Sequence, residues 1–219
     1  MKSFIIRLKD NEHSCKIAKE CVEQAEKFNL KVEYFDGILG NDADDIFAAD
    51  GIIKYPKELK KSTAGIKGCS ASHYLLWKKC MVDNKPYLIL EHDGYMIRPL
   101  PTADFKDILK LDPHNPFLET YDDDVVIDQE LKILDYKNRE YKRKQAPYGN
   151  YFLGAWAYII KPTAAKILVD VIKEKGWVPA DKQLGSELLH LETTSSTVFR
   201  IHPLYNFKNI KSLSLTRNS

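Results

Sequence analysis

The sequence predicts an α/β protein with a mixed sheet flanked by helices, and three observations carry that reading. A strand, a helix and a second strand follow one another between Phe4 and Phe35, a βαβ unit whose right-handed crossover favours parallel pairing. The helix-then-strand order repeats between Gly68 and Glu91. The strand that closes this repeat, Tyr87-Leu88-Ile89-Leu90, is apolar throughout, opened by Pro86 and stopped by Glu91-His92-Asp93-Gly94. Such a run is an interior strand whose C-terminal end emerges at a surface, where open α/β sheets place ligands.

The elements follow in order. Phe4 to Leu8 reads as the first strand, and Lys9-Asp10-Asn11-Glu12 as the turn into a helix. From Ala18 the apolar positions Cys21, Val22, Ala25 and Phe28 recur at helical spacing and form one core-facing stripe. Lys31 to Phe35 is the second strand, closed by Asp36-Gly37, and the aspartate-rich Gly40 to Ile53 is a loop or short helix. Lys54 to Lys67 is a polar connection with Lys57, Lys60, Lys61 and Lys67 available to phosphate, or simply solvated. A stronger helix starts near Gly68, with Cys69, Ser72, His73, Leu76 and Cys80 on one stripe, where His73 reads as a satisfied buried histidine.

Beyond Asp93, Tyr95 to Arg98 suits a short strand stopped by Pro99 and Pro101. Thr102 is a reasonable cap for a helix through about Leu111, with Asp104 in its first turn. Phe117-Leu118 and Val125 to Ile127 are short strand candidates around an acidic run. Tyr136 to Lys144 interleaves tyrosines with Lys137, Arg139, Lys142, Arg143 and Lys144, a composition that suits a phosphate backbone or a loop closing over a site. Tyr151 to Ile160 is β-rich, and Pro162 and Gly176 bracket a helix with a buried stripe at Ala164, Leu168, Val171 and Ile172. Asp181 opens another helix expected to run to about Leu191, Thr197 to Ile201 is a last strand, and Tyr205 to Ser219 is a polar, basic tail.

At 219 residues, 44% hydrophobic and 29% charged, the composition is that of a soluble globular protein, and one domain over residues 1–219 is expected. A net charge of only +2 gives no global field for nucleic acid or membrane. The four cysteines have no CxxC spacing, and the N-terminus has no long apolar region, so a reduced, cytoplasmic setting without a signal peptide or transmembrane segment is expected.

The acidic end of the strand at Glu91 carries the chemistry. Glu91 and Asp93 are two residues apart, so in an extended segment their side chains face the same way and His92 the other. Two carboxylates on one face can share a hard divalent cation, which can in turn hold a diphosphate; a solvated turn has the same residues.

Phe35-Asp36-Gly37, Gly68-Cys69-Ser70-Ala71-Ser72-His73, Leu88-Ile89-Leu90-Glu91-His92-Asp93, Gly154 with Ala157-Tyr158, and Pro179-Ala180-Asp181 resemble, in order, the blocks of glycosyltransferase family 25. This is the family of lipooligosaccharide and collagen galactosyltransferases. The likeness spans about Phe4 to Asp181, with a weaker echo in Ser212 to Asn218.

The resemblance implies a GT-A, Rossmann-like nucleotide-sugar-binding fold, a UDP-linked donor, a saccharide acceptor and an inverting transfer assisted by a divalent metal, manganese. The family's Glu-Asp-Asp signature falls on Glu91, His92 and Asp93, so the middle position departs from the pattern. Asp93 and Glu91 are the metal candidates; His92 is an extra ligand or points into the core. Glu91, His92, Asp93, Lys67 and Ser72 are the donor-binding candidates, and Asp181, from the family's Pro-Val-Asp block, is the candidate catalytic base.

Three other readings stand beside this one. The basic, tyrosine-bearing segment leaves open a polyanionic acceptor such as modified DNA, as bacteriophage transferases use. The departure at His92 leaves open a degenerate domain that binds nucleotide or glycan without turnover. A nucleotidyltransferase ranks last, because Lys9-Asp10-Asn11-Glu12 lacks the glycine-rich phosphate loop expected after the first strand.

Overall fold

A computed structural model describes residues 1–52, 64–112, 131–135, 154–185 and 187–204. Strand β1 (Lys2–Arg7) runs into helix α1 (Glu12–Glu26), and β2 (Glu33–Asp36) returns parallel to β1 with Ile5 opposite Tyr34. Asn11 caps α1 by accepting from the Ser14 N–H at 2.8 Å, which answers one of the four orphan donors of the first turn. Helices α2 (Gly40–Ala49) and α3 (Ala64–Asp83) lead to β3 (Tyr87–Glu91), which pairs parallel with the opposite edge of β1. The order β2-β1-β3 therefore reverses direction at β1, and a crevice opens at such a reversal, outside the C-terminal strand ends.

The remaining described elements are β4 (Gly94–Met96), β5 (Ile108–Lys110), β6 (Ile133–Asp135), β7 (Ala157–Ile160), α4 (Pro162–Lys175), α5 (Ala180–Leu184), β8 (Leu191–Thr194) and β9 (Phe199–Ile201). Among the described residues the main sheet has seven strands in the order β2-β1-β3-β7-β5-β8-β6, with β7 antiparallel to both neighbours and β6 antiparallel to β8. A second, two-stranded ribbon joins β4 to β9. This is the mixed sheet with flanking helices that the sequence predicts.

Strand alternation divides the interior in two. Phe4, Ile6, Tyr87 and Ile89 face a core with Phe47, Tyr74, Trp77, Tyr158 and Leu168, while Ile5, Leu88 and Leu90 face the core of α1 at Ile17, Ala18, Cys21 and Ala25. Each fully buried large side chain contributes about 1.5–3 kcal/mol. Both faces of β1 and β3 are covered, which explains their unbroken apolar runs. Pro162 sits at the start of α4, and Gly176, at φ 86, ends it in the left-handed region.

Three expectations are corrected. The segment from Thr102 to Leu111 is not a helix: Ile108 and Leu109 pair with β7 on one side and β8 on the other, so sheet burial on both faces outweighs the N-cap signal of Thr102. The helix opened by Asp181 ends at Leu184 rather than near Leu191, and Leu191–Thr194 is instead the strand β8. Finally, β3 ends at Glu91, so residues 92 and 93 form a turn and the alternation of faces stops there. Lys57, Lys60, Lys61, the strand candidates at Phe117-Leu118 and Val125 to Ile127, the basic segment Tyr136 to Lys144 and the tail from Tyr205 lie outside the described residues.

Candidate active site at the end of the central strand

An open cleft of roughly 690 Å³, its mouth included, lies at the C-terminal ends of β1 and β3, where the strand order reverses. Ile6, Arg7 and Leu8 form its β1 side, and Glu91 and His92 its β3 side. Gly40 and Gly65, at the beginnings of α2 and α3, bring two helix N-termini to its wall, and Cys69, Ser72 and His73 line it from α3.

The helix approaches closely because Gly68 has no side chain. A Cβ there would stand 3.1 Å from the Gly40 nitrogen and 3.3 Å from the Ile38 carbonyl carbon, and closer still to the Ile38 oxygen. The Ser72 hydroxyl fastens the same loop, accepting from the Ile38 N–H at 2.8 Å and donating to Gly68 O at 2.7 Å. Its proton is thus committed within the protein, and Ser72 shapes the cleft wall. Lys67 pairs with Asp44 of α2 at 2.5 Å and is not among the residues lining the cleft.

The acidic residues converge. Burial and the repulsion of Glu91 raise the Asp93 carboxyl to about 6, against an opposing pull from His92. Asp93 is half-buried as a residue, but its Oδ1 is enclosed and has no hydrogen-bond partner. The Asp93 carbonyl accepts from the His202 N–H at 2.7 Å, which ties the turn to the chain beyond β9. Burial also raises the Asp181 carboxyl, partly offset by the Lys182 N–H, which donates to Asp181 Oδ1 at 2.9 Å; the charge on Glu91 raises it further. Glu91 behaves the other way: burial pushes its carboxyl up, but the imidazoles of His73 and His92 outweigh that and hold it below its ordinary value. Glu91 therefore lies within electrostatic reach of both Asp93 and Asp181, and of the three it alone is among the residues lining the cleft.

His92 stands beside Glu91 in the cleft wall instead of facing the opposite side, a correction that follows from the end of the strand at Glu91. His73 is buried and satisfied at one nitrogen, as its apolar surroundings predict: its Nδ1 lies 2.7 Å from Tyr158 Oη, which also accepts from Trp77 Nε1 at 2.9 Å.

Two lining residues carry no signal of their own in the sequence reading. Arg7 ends β1, with its guanidinium 3.2 Å from Asp36 and 4.1 Å above the Tyr34 ring. Cys69 reads as a small hydrophobe but lies 3.8 Å from Glu91 Oε1; its spacing of four from His73 on a helix is the signal that could have joined the two.

Glu91 and Asp93 are oxygen donors of the kind that a hard divalent ion takes, and the unpartnered, enclosed Oδ1 of Asp93 is an acceptor that such an ion would satisfy. The residues present fit the metal that the resemblance implies.

The family described as glycosyltransferase family 25 (LPS biosynthesis protein) matches residues 1–184. The lipooligosaccharide biosynthesis protein lex-1 of Haemophilus influenzae is 28% identical over 170 residues, covering 70% of this chain and 52% of that protein. The chain thus spans about half the length of this curated relative. Among solved structures, a glycosyltransferase involved in the glycosylation of the major capsid of PBCV-1 aligns over 84% of this chain and 72% of its own, with 11% identity and a TM-score of 0.34. With the family match running from the first strand through α5 and so including Glu91, Asp93 and Asp181, the chain belongs to glycosyltransferase family 25.

Proposed function

We propose that this chain is a GT-A-type glycosyltransferase domain that moves a sugar, with inversion, from a UDP-linked donor to a hydroxyl of a saccharide acceptor, assisted by manganese. The observation that carries the reading is that Glu91 lines the cleft at the strand-order reversal of a family 25 chain, with the Asp93 and Asp181 carboxyls both close enough to feel its charge. The role of the H. influenzae relative in lipooligosaccharide biosynthesis favours a saccharide acceptor.

The cleft suits the donor. Two helix N-termini offer backbone N–H groups and positive dipole ends to a diphosphate, and Arg7 adds a cation at the β1 wall. Asp93 and Glu91 would hold the metal ion, which when bound neutralises charge developing on the departing diphosphate. In the transfer, the acceptor oxygen forms a bond to the anomeric carbon as the bond from that carbon to the diphosphate oxygen breaks. The electron pair leaves with the nucleoside diphosphate, and the acceptor proton passes to Asp181. Burial beside Glu91 raises the Asp181 carboxyl and so makes it a better proton acceptor near neutrality than an ordinary aspartate.

Thermal unfolding against a panel of nucleotide-sugars, with and without manganese, tests the donor half of this reading. A ligand at ~100 times its dissociation constant adds about 2.7 kcal/mol to the native state. Stabilisation by a UDP-sugar only with manganese, lost in Asp93→Asn, is the expected result. A folded protein that no nucleotide-sugar stabilises under either condition refutes it. His92, standing where the family pattern has an acidic residue, favours a second reading as a binding domain without turnover; donor stabilisation with no release of nucleoside diphosphate would select that reading.

A further inference from the structure

Cys69 and His73 lie four residues apart on α3, so both project from one face of the helix toward the end of β3. Glu91 meets them there. Its Oε1 is 3.5 Å from His73 Nε2 and 3.8 Å from Cys69 Sγ, and one donor atom from each of the three residues lies within 4.8 Å of the others.

The imidazole is held in place through its Nδ1. His73 is fully buried, and its Nδ1 is engaged by Tyr158 Oη, which is fixed in turn by Trp77 Nε1. That leaves Nε2 enclosed, without a hydrogen-bond partner, on the side of Cys69 and Glu91. Orientation through the far ring nitrogen is how proteins position a metal-binding histidine.

The spacing has the right scale. Tetrahedral bonds of about 2.0–2.1 Å to nitrogen and oxygen and about 2.3 Å to sulfur place an N and O pair roughly 3.3 Å apart and an S and O pair roughly 3.5 Å apart. These two separations exceed those values by only a few tenths of an ångström, and the third, between sulfur and imidazole nitrogen, is within 4.8 Å.

We propose that Cys69, His73 and Glu91 form a three-residue site for a borderline divalent cation, Zn²⁺ by the chemistry of its donors, with the fourth position open to the cleft that all three residues line. A thiolate and an imidazole select zinc over manganese, which prefers carboxylate and water oxygens, so this site shares Glu91 with the pair Glu91 and Asp93 but differs from it in its sulfur and nitrogen donors. Binding replaces the thiol proton of Cys69 with the ion.

The test uses the full chain, reduced and freed of metal, titrated with Co²⁺ and then Zn²⁺. One equivalent of Co²⁺ should produce a thiolate-to-metal charge-transfer band with tetrahedral ligand-field absorption, and Zn²⁺ should displace it. Cys69→Ser should abolish the band, Cys15→Ser should leave it unchanged, and Tyr158→Phe, which frees the imidazole, should weaken Zn²⁺ binding by about 10–100-fold. X-ray absorption at the zinc edge of the unaltered protein needs no variant and should show one sulfur among nitrogen and oxygen neighbours. Absence of the band, its persistence in Cys69→Ser, or a zinc shell without sulfur overturns the proposal.

Discussion

Replacing Gly68 with alanine sets two physical effects against each other. Gly68 is inside helix α3, where alanine is favoured over glycine by about 1 kcal/mol, so propensity alone predicts a more stable protein. The packing predicts the opposite. The new methyl would press on backbone at Ile38 and Gly40, including a nitrogen at 3.1 Å and a carbonyl carbon at 3.3 Å, and backbone cannot swing aside as a long side chain does. Overpacking of this kind costs about 1–3 kcal/mol. Because both neighbours are main chain, the upper part of that range applies, and the net loss is about 1–2 kcal/mol. For a chain of this length each kcal/mol moves the thermal midpoint by about 2–4 °C, so Gly68→Ala should lower it by roughly 2–8 °C. The displaced loop also carries the Ile38 N–H that Ser72 accepts and forms part of the cleft wall. Apparent donor affinity should therefore fall along with stability. A midpoint that rises by a few degrees with donor binding intact would refute the close-approach argument.

Asp93→Asn and Asp181→Asn should each remain folded and lose transfer, Asp93→Asn also losing metal-dependent donor binding and Asp181→Asn retaining it; calorimetric titration with donor and manganese separates the two. Tyr158→Phe should leave Trp77 Nε1 without an acceptor and His73 Nδ1 without a partner, at a cost of about 1–3 kcal/mol for each buried group, read from chemical denaturation. Asp83 should contribute to acid sensitivity. Hydrogen bonds from Lys2 and Tyr87 hold its carboxyl at about 2, below the ordinary 3.8. Its stabilisation is therefore present above about pH 4 and lost as the pH falls toward 2, and Asp83→Asn should flatten the stability profile across that window; an unchanged profile would contradict the assignment.

How much of this was legible in the sequence depended on whether a signal was local. The unbroken apolar runs of β1 and β3 announced strands covered on both faces, and the stripe through Cys21, Val22 and Ala25 announced α1. Pro162 and Gly176 bounded α4 within its actual ends. The middle of the sheet was hidden because β5 is three residues long and contains Lys110, a buried lysine whose ammonium contacts the Asp112 carbonyl and lies 4.6 Å over the Trp156 ring. Tertiary partners of this kind make a charged residue tolerable there. Strand β8 was lost in a leucine-rich stretch that continues a helical pattern past Leu184.

The site shows the same division. The acidic stop after Leu90 marked the end of β3 that opens on the cleft, and Asp181 could be marked by resemblance alone. That Glu91 meets Cys69 and His73 is a property of how α3 crosses the sheet, as is the engagement of Lys67 by Asp44. The face argument for Glu91 and Asp93 assumed an extended strand one turn too far. Glu91 reaches the cleft as the last residue of β3, and Asp93 lies in the turn beyond it, which the His202 N–H ties down.

The most direct test of the account is release of nucleoside diphosphate from a UDP-sugar donor by the purified chain, measured with manganese, with chelator, and in Asp93→Asn. Manganese-dependent release that chelator and the substitution each abolish, while the variant unfolds as cooperatively as the unaltered protein, is the predicted result. Release that persists in chelator or in folded Asp93→Asn would contradict a metal-assisted centre at the end of β3.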